Sequence, residues 1–191
     1  MFKTKKRSLN LKILRSFLIP TILFSIPLFN NLHYAKAGLE FQWDQNSGHR
    51  RLKWFQKENK KRFRNKIYFF LRPSDRQTDL LKLNLSIPKT FKAKLNDENI
   101  SLCRVRVGGY EKRTKCLQDI PFDMEIIKDE SSLRSIDFYP YSPIPSNKES
   151  YAIVLKVLNP KRSGLYQFHS YGQPAGKTDL SYLGSWTIVI D

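Results

Sequence analysis

The sequence predicts a mainly β protein: a single antiparallel β-sandwich, immunoglobulin-like or related, that follows an N-terminal signal peptide. Eight or nine short segments alternate apolar with polar residues, and turn residues separate them. No long amphipathic helix follows residue 37, and neither a repeat nor a second block of composition divides the chain. We therefore predict a signal peptide over residues 1–37 and one β-sandwich domain over residues 38–191.

The N-terminus has the three parts of a secretory signal peptide. Residues 1–15 are basic and contain no acid, and residues 16–29 are apolar and uncharged. Ala35 and Ala37 supply the small residues of a cleavage site, which leaves Gly38 as the first residue of the exported chain. This pattern predicts a periplasmic, thylakoid-lumenal or extracellular protein.

An uncleaved membrane anchor is the alternative interpretation of the same segment. Its apolar stretch is interrupted by Pro20 and Pro27, and it is shorter than the roughly 20 residues that a membrane-spanning helix needs. The sequence therefore predicts no transmembrane span in the exported chain.

The strands are predicted in order from alternation and from the turn residues between them. Leu81, Leu83, Leu85 and Ile87 are predicted to share one face of a half-buried strand. Residues 151–159 form the most apolar segment, which predicts a central strand, and residues 165–172 are predicted to pair with it. The full set of predicted strands is 38–43, 67–73, 80–88, 102–107, 122–127, 133–140, 151–159, 165–172 and 184–191, with 51–56 ambiguous.

The two cysteines lie in "CRVRVGGYEKRTKC", and export favours a disulfide between Cys103 and Cys116 over a metal or catalytic site. Cys103 and Val105 belong to an alternating strand, and Gly108-Gly109 is predicted to adopt the positive φ of a tight hairpin turn. Free thiols are the alternative. A redox-active pair is less favoured because no C-x-x-C is present.

Charge predicts the class of partner. Residues 1–37 hold seven of the 34 basic residues and none of the 17 acidic ones, so residues 38–191 carry a net charge of +10. For an exported protein this charge favours an anionic partner in the envelope: lipid headgroups, an acidic polysaccharide or another exported protein. It argues against nucleic acid as the partner. The predicted binding residues are Arg104, Arg106, Lys112, Arg113 and Arg162.

Residues 49–66 form a second basic stretch, in which Trp54, Phe55 and Phe63 are interleaved with the cations. It is either an anion-binding surface or a solvated loop whose aromatic residues belong to the core. The same choice applies to the C-terminal aromatic residues Tyr166, Phe168, Tyr171, Tyr182 and Trp186, which either pack in the core or stack on sugars.

Catalysis, metal binding and a cofactor are not predicted. His49 and His169 have no partner at metal-ligand spacing, and no nucleophile elbow or phosphate loop is present. The sequence thus favours a non-catalytic envelope domain that binds an anionic partner. The alternatives are an assembly subunit that works by β-strand addition and, less favoured, a hydrolase.

Several segments resemble an exported domain family of unknown function found in cyanobacteria. They are "YFFLRPSDRQTDLLKLNLSIP", "ISLCRVRVGGYEKRTKC", "FYPYSPIP", "LNPKRSGLYQFHSYGQPAG" and "YLGSWTIVID". The resemblance extends from Phe41 to Ile190, and the N-P-x-R-x-G-x-Y-Q-F and L-G-S-W segments are its most specific parts. It implies export and a compact, mainly β domain, and it brings no catalytic or ligand-binding residue with it.

Overall fold

The computed structural model describes residues 50–109, 111–128 and 134–191. The predicted signal peptide, its cleavage site at Ala35, Ala37 and Gly38, the first predicted strand and His49 lie outside the described residues. The boundary between the signal peptide and the domain therefore stays a prediction.

Two five-stranded antiparallel sheets form a sandwich, as the sequence predicts. The first sheet has the order β1-β2-β8-β4-β5 and the second has the order β10-β9-β3-β7-β6. The strands are β1 (Trp54–Gln56), β2 (Arg64–Leu71), β3 (Leu80–Ile87), β4 (Ile100–Arg106), β5 (Lys115–Asp119), β6 (Phe122–Lys128), β7 (Arg134–Pro140), β8 (Ser150–Leu158), β9 (Gly164–Pro174) and β10 (Ser181–Ile190).

The main core lies between the sheets and is built by strand alternation. Phe69 of the first sheet packs on Phe168 and Trp186 of the second, with ring centroids 4.8 Å apart in both pairs. The Trp186 ring is fully buried, and its Nε1 donates a hydrogen bond to the carbonyl oxygen of Phe70, 3.2 Å away. An indole buried with its N–H satisfied contributes a large apolar area without an unpaired polar group.

The prediction that residues 151–159 form a central strand is confirmed, because β8 lies between β2 and β4. The predicted pairing of residues 165–172 with this strand is wrong. Both edges of β8 are occupied within the first sheet, so the chain crosses to the second sheet, where β9 pairs with β3 and β10. The turn after β8 is thus a connection between sheets and not a hairpin.

Leu81 is also an exception to the predicted alternation. Leu83, Leu85 and Ile87 are fully buried, but Leu81 is 40% exposed, and Leu80 is buried in its place. The pairing register of β3 and β9 shifts between Leu80 and Lys82, so an extra residue reverses the alternation at the start of the strand.

Candidate functional site

The predicted disulfide between Cys103 and Cys116 is confirmed, with their Cα atoms 5.7 Å apart. The direct cross-strand neighbour of Cys116 is Val105, and Cys103 pairs with Asp119. The register shifts between Arg104 and Val105, so the disulfide joins residues that are not directly opposite. It fixes β5, a five-residue edge strand, to the more deeply buried β4.

The predicted positive φ at Gly108-Gly109 is wrong, because neither glycine has a φ in the left-handed range. Glycine is needed at position 108 because the backbone there lies close to residues at the other end of the loop. A Cβ atom at this position would lie 2.5 Å from the Thr114 backbone nitrogen and 2.8 Å from the Lys112 carbonyl oxygen. The Gly108 N–H donates to Thr114 Oγ1 at 3.1 Å, which joins the two ends of the loop between β4 and β5.

Replacing Gly108 by alanine is expected to lower the free energy of unfolding by about 2 kcal/mol, because the added methyl group forces the loop backbone apart. Gly109→Ala is the matched control, since a Cβ atom there meets nothing within 4 Å. We expect the control to change stability by less than about 0.5 kcal/mol. Equilibrium denaturation of the two variants tests the difference, and equal stability of both would refute this role for Gly108.

The outer face of the first sheet carries a second apolar cluster. Strand alternation directs Ile100 and Leu102 into the main core and Cys103 and Val105 to the outer face. The outer cluster consists of Tyr68, Phe70, Cys103, Val105, Ala152 and Val154, with Cys116 packed against it. β4 therefore has buried apolar residues on both of its faces.

A depression of about 1230 Å³ lies on this outer face, and we call it the basic groove. Residues of β1, β2 and their flanks form one side, and the loop between β4 and β5 forms the other. Its described lining residues are Lys53, Trp54, Phe55, Lys57, Lys66, Tyr68, Phe70, Arg72, Val107, Gly108, Gly109, Glu111, Lys112, Arg113 and Thr114.

Cations dominate the charged lining of the basic groove. Arg72 forms an ion pair with Asp75 at 3.1 Å. Within the described part of the chain, the other five cations form no ion pair, and Glu111 is the one acidic residue that lines the groove. These five cations are Lys53, Lys57, Lys66, Lys112 and Arg113.

Three lysines form a row across neighbouring strands on this face. Lys66 of β2 is directly opposite Lys156 of β8, and the Lys57 N–H donates to the Lys66 carbonyl oxygen at 3.1 Å on the other side. Like charges that are directly opposite in a sheet destabilise it. Lys66 Nζ lies 5.0 Å from the centroid of the Tyr68 ring, a cation–π contact that offsets part of this repulsion.

An aromatic row lies beside the lysine row. Phe55 of β1 is opposite Tyr68 of β2, and their ring centroids are 6.0 Å apart. The Tyr68 ring lies 6.4 Å from that of Phe70. Tyr68 and Phe70 are buried, whereas Phe55 is 42% exposed, so the Phe55 ring is accessible at the surface.

A buried pair of amides fixes the end of the groove at Lys57. Asn65 Oδ1 accepts hydrogen bonds from the N–H groups of Lys57 and Glu58, at 3.1 and 3.0 Å. Asn65 Nδ2 donates to Asn159 Oδ1 at 3.0 Å, and Asn159 Nδ2 donates to the carbonyl oxygens of Glu58 and Lys60. The Asn159 amide therefore holds a turn that is distant in the chain.

The structure does not bring the five predicted binding residues into one patch. Lys112 and Arg113 line the basic groove. Arg104 instead forms an ion pair with Glu149 and lines a separate depression beside Tyr151.

The other two predicted binding residues also lie outside the groove lining. Arg106 is exposed at the end of β4 and, by alternation, lies on the same side of the strand as Arg104. Arg162 lies in the turn between β8 and β9, where its carbonyl oxygen accepts a hydrogen bond from the Tyr166 hydroxyl at 2.7 Å.

The C-terminal aromatic residues divide between the two faces of the second sheet. Tyr166, Phe168 and Trp186 belong to the main core. Tyr171 and Tyr182 are half-buried on the outer face, with ring centroids 5.5 Å apart. Alternation along β9 and β10 accounts for this division.

The outer face of the second sheet is polar. His169 Nδ1 lies 2.7 Å from Ser185 Oγ, which is also 2.5 Å from the Tyr182 hydroxyl. On β7, Asp137 lies 2.6 Å from Lys82 Nζ. Burial lowers the pKa of Lys82, but its hydrogen bonds to Asp137 and Tyr139 have the larger combined effect, so the pKa of Lys82 is raised above its ordinary value. His169 and Asp137 therefore belong to polar networks that join neighbouring strands of the second sheet.

Residues 50–109, 111–128 and 134–191 contain no metal-ligating cluster and no helix that could span a membrane. In this part of the chain, no three His, Cys, Asp or Glu side chains are grouped so that they could hold a metal ion. None of the helices described there has the length and apolarity that crossing a membrane requires.

A family model described as "Protein of unknown function (DUF2808)" matches residues 44–190. A comparison with curated proteins found no match. Similar solved structures include BslA, described as a bacterial hydrophobin, at 12% identity and a TM-score of 0.44; the alignment covers 75% of this chain and 95% of that one.

Two collagen-binding domains are also similar in structure. The domain of a Staphylococcus aureus adhesin has 13% identity and a TM-score of 0.36, with 72% of this chain and 95% of that one covered. The subdomain ACE19 of the Enterococcus faecalis surface protein ACE has 8% identity and a TM-score of 0.38, with 71% and 95% covered. At these identities the likeness concerns the fold alone.

Proposed function

We propose that this chain, which belongs to the DUF2808 family of proteins of unknown function, is an exported, non-catalytic envelope domain that binds an anionic partner in the basic groove. One observation carries the proposal: five cations without an ion pair to any described residue line one depression together with Phe55, Tyr68 and Phe70. A bound anion supplies the counter-charge that the described residues do not.

The row of Lys57, Lys66 and Lys156 supports this function. Three like charges on adjacent strands cost folding free energy. Each of the three positions could hold an uncharged polar residue without disturbing the alternation, because all three point outward from the sheet. A bound anion lowers the free energy of this arrangement, so the repulsion is expected to be relieved when the partner is present.

The disulfide supports the proposal in a second way. It holds β5 against β4, and the loop between these strands carries Lys112 and Arg113 to the rim of the groove. A binding surface that is already ordered loses less conformational entropy when its partner binds. Export, which the N-terminus predicts, places the protein where such a bond persists.

Neutralising the groove is expected to weaken retention on native envelope fractions. The test variant is Lys53→Gln, Lys57→Gln and Lys112→Gln, and the matched control is Lys89→Gln, Lys161→Gln and Lys177→Gln. The control has the same change in charge at three exposed lysines that do not line the groove. We expect at least a tenfold loss of retention for the groove variant, at about 1 kcal/mol for each charge.

The measurement is retention of the exported protein across a salt series, where wild-type binding should fall as salt rises. Equal loss in the groove variant and the control would refute the basic groove as the site. Retention that resists salt would favour the alternative, strand addition, for which β6 offers an edge that pairs only with β7 among the described strands.

Charge reversal at Arg113 should weaken binding more than charge reversal at Arg104, which has Glu149 as its partner.

A further inference from the structure

We propose that the anionic partner is an acidic polysaccharide, which lies in the basic groove with a sugar ring against Phe55 and acidic groups on the flanking lysines. This inference rests on the function proposed above and adds the chemical class of the ligand. Its evidence is the spacing of aromatic and cationic side chains.

Both strands on one side of the groove place cationic and aromatic side chains on the groove face. Lys53, Phe55 and Lys57 alternate along β1 and its flanks, and the N–H of Phe70 donates to the Lys53 carbonyl oxygen at 3.1 Å, which extends the pairing beyond β1. Phe55 therefore lies between two cationic positions, each about 7 Å away along the strand. On β2 the corresponding order is Lys66, Tyr68 and Phe70.

This order matches the chemistry of an acidic polysaccharide. Such a chain offers an apolar face of C–H groups on each sugar ring and a carboxylate or sulfate beside it. An exposed aromatic ring binds the apolar face, and the flanking ammonium groups bind the acidic substituents. Phe55 is 42% exposed, and its outward ring has no role in the main core.

A flat membrane surface fits the groove less well. Phe55, Tyr68 and Phe70 line the same depression as Lys112 and Arg113 of the loop between β4 and β5. Phosphate headgroups in a bilayer can reach exposed cations, but they offer no sugar ring with an apolar face that could stack on Phe55. A ligand held by charge alone would gain nothing from that ring.

The experiment measures binding of the full exported protein to polygalacturonate, to its fully methyl-esterified form, and to vesicles that contain phosphatidylglycerol. The esterified polymer has the same sugar backbone without the charge. The variants are Phe55→Ala and Lys57→Gln/Lys66→Gln, and Phe63→Ala is the matched control. Phe63 is 54% exposed but does not line the groove.

We expect polygalacturonate to bind and the esterified polymer to bind at least tenfold more weakly. Phe55→Ala should weaken binding about five- to tenfold without changing its dependence on salt. Lys57→Gln/Lys66→Gln should weaken binding and also reduce the slope of log affinity against log salt. Phe63→Ala should bind as the wild type does.

The outcomes separate this inference from the function on which it rests. Binding to vesicles but not to polygalacturonate, with Phe55→Ala unchanged, overturns the polysaccharide and leaves the anionic groove in place. Equal binding of both polymers overturns the assignment of acidic groups to the lysines. If the lysine variant retains full binding to envelope fractions and to every probe, both the inference and the proposed function are wrong.

Discussion

Replacing both cysteines by serine is expected to lower the free energy of unfolding by about 3 kcal/mol. The disulfide closes a loop with a sequence separation of 13, so its loss increases the conformational freedom of the unfolded chain. Cys103 is also fully buried in the outer cluster beside Val105 and Val154. A pair of serine hydroxyls there would need hydrogen bonds that these apolar neighbours cannot provide.

Equilibrium denaturation of Cys103→Ser/Cys116→Ser measures this change. The matched control is the wild type under reductant, which should lose a similar amount of stability, whereas the variant should not respond to reductant. We also expect the variant to bind the envelope more weakly, because the loop with Lys112 and Arg113 is no longer fixed to β4. Unchanged stability in the variant would show that strand pairing alone holds β5.

The sequence predicted the strands well because each carries its own signal. Alternation and turn residues are local, and they placed β2, β3, β4 and β6 to β10 close to their observed bounds. The partner of β9 was not predicted correctly, because no local pattern records whether a chain turns back into the same sheet or crosses to the other. That choice depends on which edges of β8 are still free.

The candidate site was only half predictable. Lys112 and Arg113 were predicted because they lie beside the cysteines in the sequence, but the opposite side of the groove comes from β1 and β2, about 50 residues earlier. The local signal there is the basic stretch of residues 49–66, in which Lys53, Phe55 and Lys57 alternate, and the sequence left open whether this stretch binds an anion or is a solvated loop. Its meaning depends on the pairing of β1 with β2, which the sequence left ambiguous.

Arg104 shows why a predicted binding residue lies apart from the basic groove. Its alternation with Cys103 and Val105 is visible in the sequence, and a half-buried strand would direct such a residue to solvent. Here the face of β4 that carries Cys103 and Val105 is also buried, in the outer cluster, and Arg104 lies on the side of Leu102, which belongs to the main core. Glu149 provides its counter-charge. Charge alone cannot indicate which of two covered faces binds a ligand.

The amide pair connects the fold to the proposed function. Residues 57–60 follow the end of β1, and the buried amides hold this turn together with a backbone hydrogen bond from the Asp191 N–H to the Asn59 carbonyl oxygen at 2.9 Å. Asn65 holds the N–H groups of this turn and Asn159 holds its carbonyl oxygens. Asn159, which is far from the groove residues in the sequence, therefore helps to position Lys57.

Asn159→Ala is expected to lower the free energy of unfolding by about 3 kcal/mol, since three hydrogen bonds of a buried amide are lost. They join Asn159 to the carbonyl oxygens of Glu58 and Lys60 and to the side-chain N–H of Asn65. Asn159 is only 2% exposed, so water cannot replace the lost amide without opening the turn. Denaturant unfolding followed by intrinsic fluorescence measures the effect.

Asn59→Ala is the matched control, because Asn59 lies in the same turn and its exposed amide bonds to Asp191 Oδ2 at 2.5 Å. We expect it to change stability by less than about 1 kcal/mol. Asn159→Ala should also reduce envelope retention, because Lys57 loses its fixed position, while Asn59→Ala should not. If the two variants are equally stable, the turn is held by the backbone pairing of β1 and β2 instead of by the buried amides.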